Sequence, residues 1–202
     1  MLGVGKMMQP ISMVFFGAFG IIIWVGFTFL LWMSRVRQVG PNEVLIVAGR
    51  PFAFQDAEGR QRQVGFRWIK GGRAFIFPII EKVFKLSLEV MQTRMQIDRI
   101  LTGDGEKISL EITAQVKIGG SDSQILSAAE NLLEKQPAEI IVLAQSILES
   151  HFKTEIRNSD FDQISERPME IFEEVTRMAS SDLEKLGIII VNLHLQDVKK
   201  ES

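Results

Sequence analysis

The sequence predicts an α+β fold in which an N-terminal transmembrane helix precedes a β-rich subdomain and then an α/β subdomain. Three patterns carry this prediction. An uncharged apolar run fills residues 11–33. Apolar and polar side chains alternate with a period of two along much of residues 84–118, and apolar residues recur at helical spacing from 125 to 186. The chain has 202 residues, 46% of them apolar, and no cysteine. That size allows one or two small domains, and the missing cysteines exclude disulfides and cysteine-ligated metal sites.

The 23 residues from 11 to 33 carry no charge and are rich in Phe, Ile, Val, Leu and Gly, where a spanning helix needs roughly 20. Residues 1–10 form a short leading segment ending in Pro10. Trp24 lies within the run, Trp32 lies where an interfacial aromatic belongs, and Arg35 and Arg37 follow as headgroup anchors. A cleaved signal peptide fits less well, because its apolar core would be only about 7–15 residues with a small-residue cleavage site after it. Lys6 and the α-amine before the run are outweighed by Arg35, Arg37 and Arg50 after it. This bias predicts a single-pass protein of the cell membrane with its C-terminal bulk in the cytoplasm.

Residues 39–120 read as the β-rich, membrane-proximal subdomain. Turn residues Gly40-Pro41-Asn42 lead into a short apolar strand at 44–48, stopped by Gly49 and Pro51. After a polar loop come residues 64–69, the pair Gly71-Gly72, and the aromatic run 74–80, which contains Pro78 and is too short to cross a bilayer. Two readings of this run stand. It is a buried strand pair, or it is a loop dipping into the headgroup layer with Phe75 and Phe77 inserted, Trp68 beside them, and Arg67, Lys70 and Arg73 on phosphates. Further on, Phe84, Leu86, Leu88 and Val90 alternate with charged or polar neighbours, 93–100 repeats the pattern weakly, and Thr102-Gly-Asp-Gly supplies a hairpin turn. The return strand, 107–118, alternates throughout, so antiparallel pairing is expected.

Residues 121–198 read as the α/β subdomain. Ser121 with Gln124 has the form of a capping box ahead of a short first helix. Pro137 opens a second helix reaching about Arg157, and a third is predicted from about 165 to 186, closed by Gly187. The final strand, 188–195, is apolar on both faces near its start, which predicts a place inside a sheet. Charge divides with the chain: residues 34–120 hold 14 basic and 9 acidic groups, residues 121–202 hold 8 and 16.

Chemistry-bearing motifs are missing. There is no phosphate-binding loop, dinucleotide fingerprint or nucleophile elbow. His151 and Glu155 sit one helical turn apart, but two ligands make no metal site, and His194 has no matching partner. The basic stretch 60–73 lies about 30 residues beyond the apolar run, so anionic lipid is a nearer polyanion than nucleic acid. No catalytic residue, cofactor or metal is therefore expected.

The order of parts carries a resemblance. Gly40-Pro-Asn-Glu, the Gly71-Gly-Arg-Ala-Phe-Ile-Phe-Pro78 run, Leu86-Ser-Leu-Glu-Val-Met91, the Thr102-Gly-Asp-Gly turn, Asp182-Leu-Glu-Lys-Leu-Gly-Ile188 and Gln196-Asp-Val198 together resemble the SPFH (stomatin, prohibitin, flotillin; band 7) family, and within it flotillins. The resemblance covers about residues 39–198. It implies a non-enzymatic scaffold that binds membrane lipid, forms a homo-oligomeric ring or cage and organises membrane microdomains of the lipid-raft kind. It also implies a second possibility, a regulatory partner of a membrane protease or channel, as in prohibitin- and stomatin-like relatives. Flotillin-like proteins continue into a coiled coil, whose start would fall at residues 199–202. With no cysteine and with Leu2 at the second position, acylation is not expected to replace the spanning helix.

Overall fold

The computed structural model describes residues 8–33, 36–55, 61–76 and 80–201. Helix α1 (Met8–Met33) leads into three strands, β1 (Val36–Gln55), β2 (Gln61–Phe75) and β3 (Lys82–Ser87). Two more follow, β4 (Met91–Leu101) and β5 (Lys107–Ile118), then helices α2 (Asp122–Leu132), α3 (Pro137–Asn158), α4 (Phe161–Glu166) and α5 (Pro168–Lys185), and strand β6 (Ile188–Glu201). The strands form two antiparallel sheets, ordered β2-β1-β3 and β4-β5-β6. This is an α+β fold, with β4 and β5 sharing their sheet with β6 and not with the three strands before them. The change of sheet falls between Ser87 and Met91, some thirty residues ahead of the composition change at 120.

Strand β5 is the spine of the second sheet. Ile108, Leu110, Ile112, Ala114, Val116 and Ile118 are all buried, whereas the intervening residues are polar and half-buried or exposed. The buried set meets the inward stripes of the helices, including Ile125 and Leu132 of α2, Leu148, Phe152 and Ile156 of α3, and Val175 and Leu183 of α5. Phe152 and Phe172 cross edge to face at 5.0 Å between α3 and α5. Val44, Ile46 and Leu86 from the first sheet join the same cluster, so one continuous core ties the two sheets together.

Helix ends agree with the residues that close them. Ser121 and Gln124 form the expected capping box on α2. Gly187, with φ of 77°, follows α5 so tightly that a Cβ there would stand 2.3 Å from the Gln124 carbonyl oxygen. The predicted third helix begins at Pro168, as α5, and a short helix not expected from the sequence, α4, precedes it. In the turn between β4 and β5, Thr102 Oγ1 bonds to Asp104, and the Asp104 carboxylate accepts the Phe161 amide at the start of α4 at 3.3 Å.

Strand β6 corrects two expectations. Among the described residues it is an edge strand, paired with β5 alone, and it runs on through Lys199 and Lys200 to Glu201 opposite Lys107, so 199–201 are strand and not the first turn of a coiled coil. Its apolar appearance on both faces has a geometric cause. Register shifts leave Val191 and Gln196 as extra residues opposite β5, and each such bulge shifts the alternation by one. Ile188, Ile190, Leu193, Leu195 and Val198 therefore all pack on the same core, while Val191 is 46% exposed.

Helix α1 has 26 residues, the 23 of the apolar run 11–33 and three before it. Every residue from 16 to 29 is exposed, on all sides of the helix. Among the described residues no helix is long and apolar enough to cross a membrane.

Candidate membrane-facing site

Register builds the site. Where β1 leaves α1 it pairs with the end of β2, Val36 opposite Phe75, Arg37 opposite Ala74 and Gln38 opposite Arg73. Helix α1 ends at Met33, so three residue steps, at most about 11 Å of chain, separate it from this pair, and paired strands lie about 4.8 Å apart. Arg73 and Phe75 therefore lie within a short reach of chain from the end of α1.

The aromatic run divides by side. Ala74 and Ile76 are buried with Val39 and Leu45 in a small second core, against which Ile69 packs. Phe75 is half-buried outside that cluster, Arg73 is exposed, and Ile80 is 53% exposed. The strand reading describes 74 and 76, and only their neighbours are left to meet anything outside the chain.

A sharp corner in β2 gives this end its shape. Gly71 and Gly72 have φ of 63° and 84°, left-handed values that side chains resist. In a straight strand residues 67 and 75 would lie about 26 Å apart, at ~3.3 Å each. Instead Arg67 Nη2 donates to the Phe75 carbonyl at 3.2 Å and pairs with Glu81 at 3.5 Å. The Glu81 side chain is 1% exposed and that of Arg67 38%; Arg67 Nε is buried with no hydrogen-bond partner among the described residues. On β1, Gly49 adopts φ of 132°, and a Cβ there would stand 2.2 Å from the Ile80 carbonyl oxygen. Only glycine lets the returning segment cross so closely.

Two more of the expected lipid contacts are used inside the chain. Lys70 Nζ pairs with Asp122 at 2.6 Å and donates to the Gly120 carbonyl at 2.8 Å, and Trp68 Nε1 donates to the same Asp122 at 3.1 Å. They latch the first sheet onto the start of α2. The Lys70 hydrogen bond, helped by that of Trp68, holds the Asp122 carboxyl below the usual range. Trp24 is 68% exposed on α1. Arg35 and Phe77 lie outside the described residues, and Trp32 and Arg37 are described in their backbone alone.

Away from this end, His151 Nε2 lies 3.1 Å from Asp182 on α5, and Asp182 also accepts from Lys185 at 2.8 Å. The Lys185 bond first, then that of His151, lowers the Asp182 pKa. His151 thus joins two helices instead of pairing with Glu155. Among the described residues no group of three or more His, Asp or Glu is placed to hold a metal ion. Sequence reasoning read Gly49 only as a strand stop and missed Glu81 and Asp122; each of the three acts on a residue far along the chain.

Comparison with known proteins bears on the family of the chain. The model of the SPFH domain / Band 7 family matches residues 37–202. The chain is 28% identical over 189 residues to the flotillin-like protein FloT of Bacillus subtilis, covering 90% of this chain and 37% of that one. To human flotillin-1 it is 32% identical over 160 residues, covering 79% of this chain and 35% of the relative; the Drosophila melanogaster flotillin-1 is 30% identical over 167 residues. The chain spans about a third of the length of these relatives.

Proposed function

The chain belongs to the SPFH domain / Band 7 family, and from that premise we propose that it is a non-enzymatic membrane scaffold, anchored by α1 and lying on the bilayer by the first sheet. The observation that carries the reading is the register that sets Phe75 beside Val36, three residues past an apolar helix exposed all round. A helix without a polar face is stable only inside a protein or in lipid, and among the described residues no other part of the chain covers residues 16–29. No helix among the described residues is long and apolar enough to cross, so the span is proposed on the whole uncharged run 11–33 of the sequence, whose 23 residues meet the roughly 20 that a spanning helix needs. In that arrangement α1 crosses once, Trp24 lies in the hydrocarbon, Trp32, Arg35 and Arg37 sit at the exit, and Arg73, Phe75, Phe77 and Ile80 meet the headgroups. The bulk is cytoplasmic, on the strength of the basic residues after the span.

Copies associate side by side in this reading, since the basic first sheet of one faces the acidic helices of the next. Such a head-to-tail contact closes into a ring or cage and concentrates the lipid beneath it into a microdomain. Isolation in mild detergent tests the function. Many copies of the chain together with lipid are expected; a stoichiometric protease or channel would instead identify a regulatory partner, and a monomer without lipid would end the scaffold reading.

A further inference from the structure

We propose that the cleft between α5 and β6 is a docking site for the β3 edge of a second copy of the chain. The inference rests on the scaffold reading and names the two surfaces through which its copies meet. Both are strand edges left open among the described residues, since β3 pairs with β1 alone and β6 with β5 alone. The cleft has a volume of about 390 Å³ and a largely apolar lining. Phe172, Ile190 and Leu193 reach it from the main core, but two other wall residues lack such cover: Met169 is 69% exposed and Val191 46%. Charge selects the occupant. Helix α5 carries five acidic and two basic residues. Glu174 is engaged with Arg177 and Glu170 with Arg167, whereas Glu173, on the cleft wall, is exposed with no ionic partner among the described residues. Strand β3 carries two lysines and no acid. Lys85 is engaged with Glu43 at 2.9 Å, whereas Lys82 is exposed with no ionic partner among the described residues, and its neighbour Val83 is 37% exposed. An apolar side chain beside an unpaired ammonium thus matches an apolar cleft beside an unpaired carboxylate, and the lysine stem adds apolar contact. The surfaces belong to different sheets, so a copy that lends its β3 keeps its own cleft for the next, which is the head-to-tail geometry of a ring. The bulge at Val191 breaks the strand ladder, so the copies meet through side chains and do not merge their sheets. One such contact is small beside the roughly 1,200 Å² or more of a stable solution interface, and it depends on the lipid that keeps the copies side by side.

Site-directed crosslinking tests the contact, because the chain has no cysteine of its own. The full chain is reconstituted in vesicles of phosphatidylcholine and phosphatidylglycerol and treated with a short bismaleimide. A mixture of the Val83→Cys chain and the Val191→Cys chain is expected to give a crosslinked dimer, either chain alone little, and the chain carrying both substitutions a ladder of higher multimers. Lys82→Glu in the first chain, or Glu173→Lys in the second, is expected to cut the crosslinked fraction several-fold. The two reversals together are expected to restore it, which collisions between crowded neighbours would not do. Far-UV circular dichroism monitors folding, and Met169→Cys takes the place of Val191→Cys should that variant fail to fold. A lysine-reactive crosslinker on the unsubstituted chain in the same vesicles reports assembly through any surface. Multimers with the lysine reagent but none between the two cysteine chains overturn the docking site and leave the scaffold standing. Strong crosslinking of one cysteine chain to itself, or no rescue by the paired charge reversal, overturns it too. If neither reagent yields multimers, the scaffold reading falls together with the contact.

Discussion

At Gly187 and Asp122 a single residue decides how two elements meet. Gly187 has φ of 77°, and a Cβ there would crowd the Gln124 carbonyl oxygen at 2.3 Å and the Ala128 nitrogen at 2.5 Å. Gly187→Ala is therefore expected to cost at least about 2 kcal/mol, the left-handed penalty plus displacement of α2, read as a fall in urea midpoint; an unchanged midpoint would show that α2 shifts freely. Asp122 belongs to the latch with Lys70 and Trp68. Its folded pKa is depressed, so the carboxylate stabilises above the ordinary value of about 3.9 and loses that contribution as the pH falls through the lower folded value. Asp122→Asn is expected to melt below the unsubstituted chain at neutral pH, with the gap closing below about pH 4. A gap that survives to pH 2 would assign the effect to something other than charge. Both residues show what the sequence does and does not reveal. The helix stop at Gly187 is legible, because glycine after an apolar stripe has a local meaning. The partners of Asp122 and Arg67 are not, since they lie 54, 52 and 14 residues away and depend on how the sheets curl.

Elements with one clean period are read most easily. Strand β5 and helices α2 and α3 fall within one or two residues of expectation, since their alternation or helical stripe is unbroken. Strands with bulges are harder. In β4, Met95 and Ile97 face inward and then Ile100 does, because an extra residue intervenes and Arg99 takes the left-handed φ of 55°. In β6 the same device operates twice. Deleting Val191 should therefore do more harm than any substitution there: it removes one phase shift and turns Leu193 and Leu195 away from the core. We expect the deletion to abolish a cooperative thermal transition while Val191→Thr melts within a few degrees of the parent chain. A folded, cooperative deletion variant would mean that β6 slides in register.

At the scale of the whole molecule, the two sheets sharpen the charge asymmetry that the sequence displays. Residues 36–87 hold nine basic and four acidic groups, a net of +5, and residues 88–201 hold twelve and twenty-one, a net of −9. An anionic leaflet attracts the first unit and repels the second, over a Debye length of about 10 Å at 0.1 M salt. A fluorophore on Ser181→Cys, at an exposed position of α5, is expected to stay open to a water-soluble quencher in anionic vesicles at low and high salt; protection there would reverse the orientation. The bulged edge of β6 acquires a different meaning once the chain is confined to a bilayer. Proteins held in two dimensions meet each other far more often than in solution, and an open, straight strand edge is a template for unlimited strand-to-strand growth. Val191 and Gln196 interrupt the β6 edge, and Lys199 and Lys200 charge its far end. In the proposed assembly on a membrane, crowding would thereby be separated from the aggregation that crowding invites.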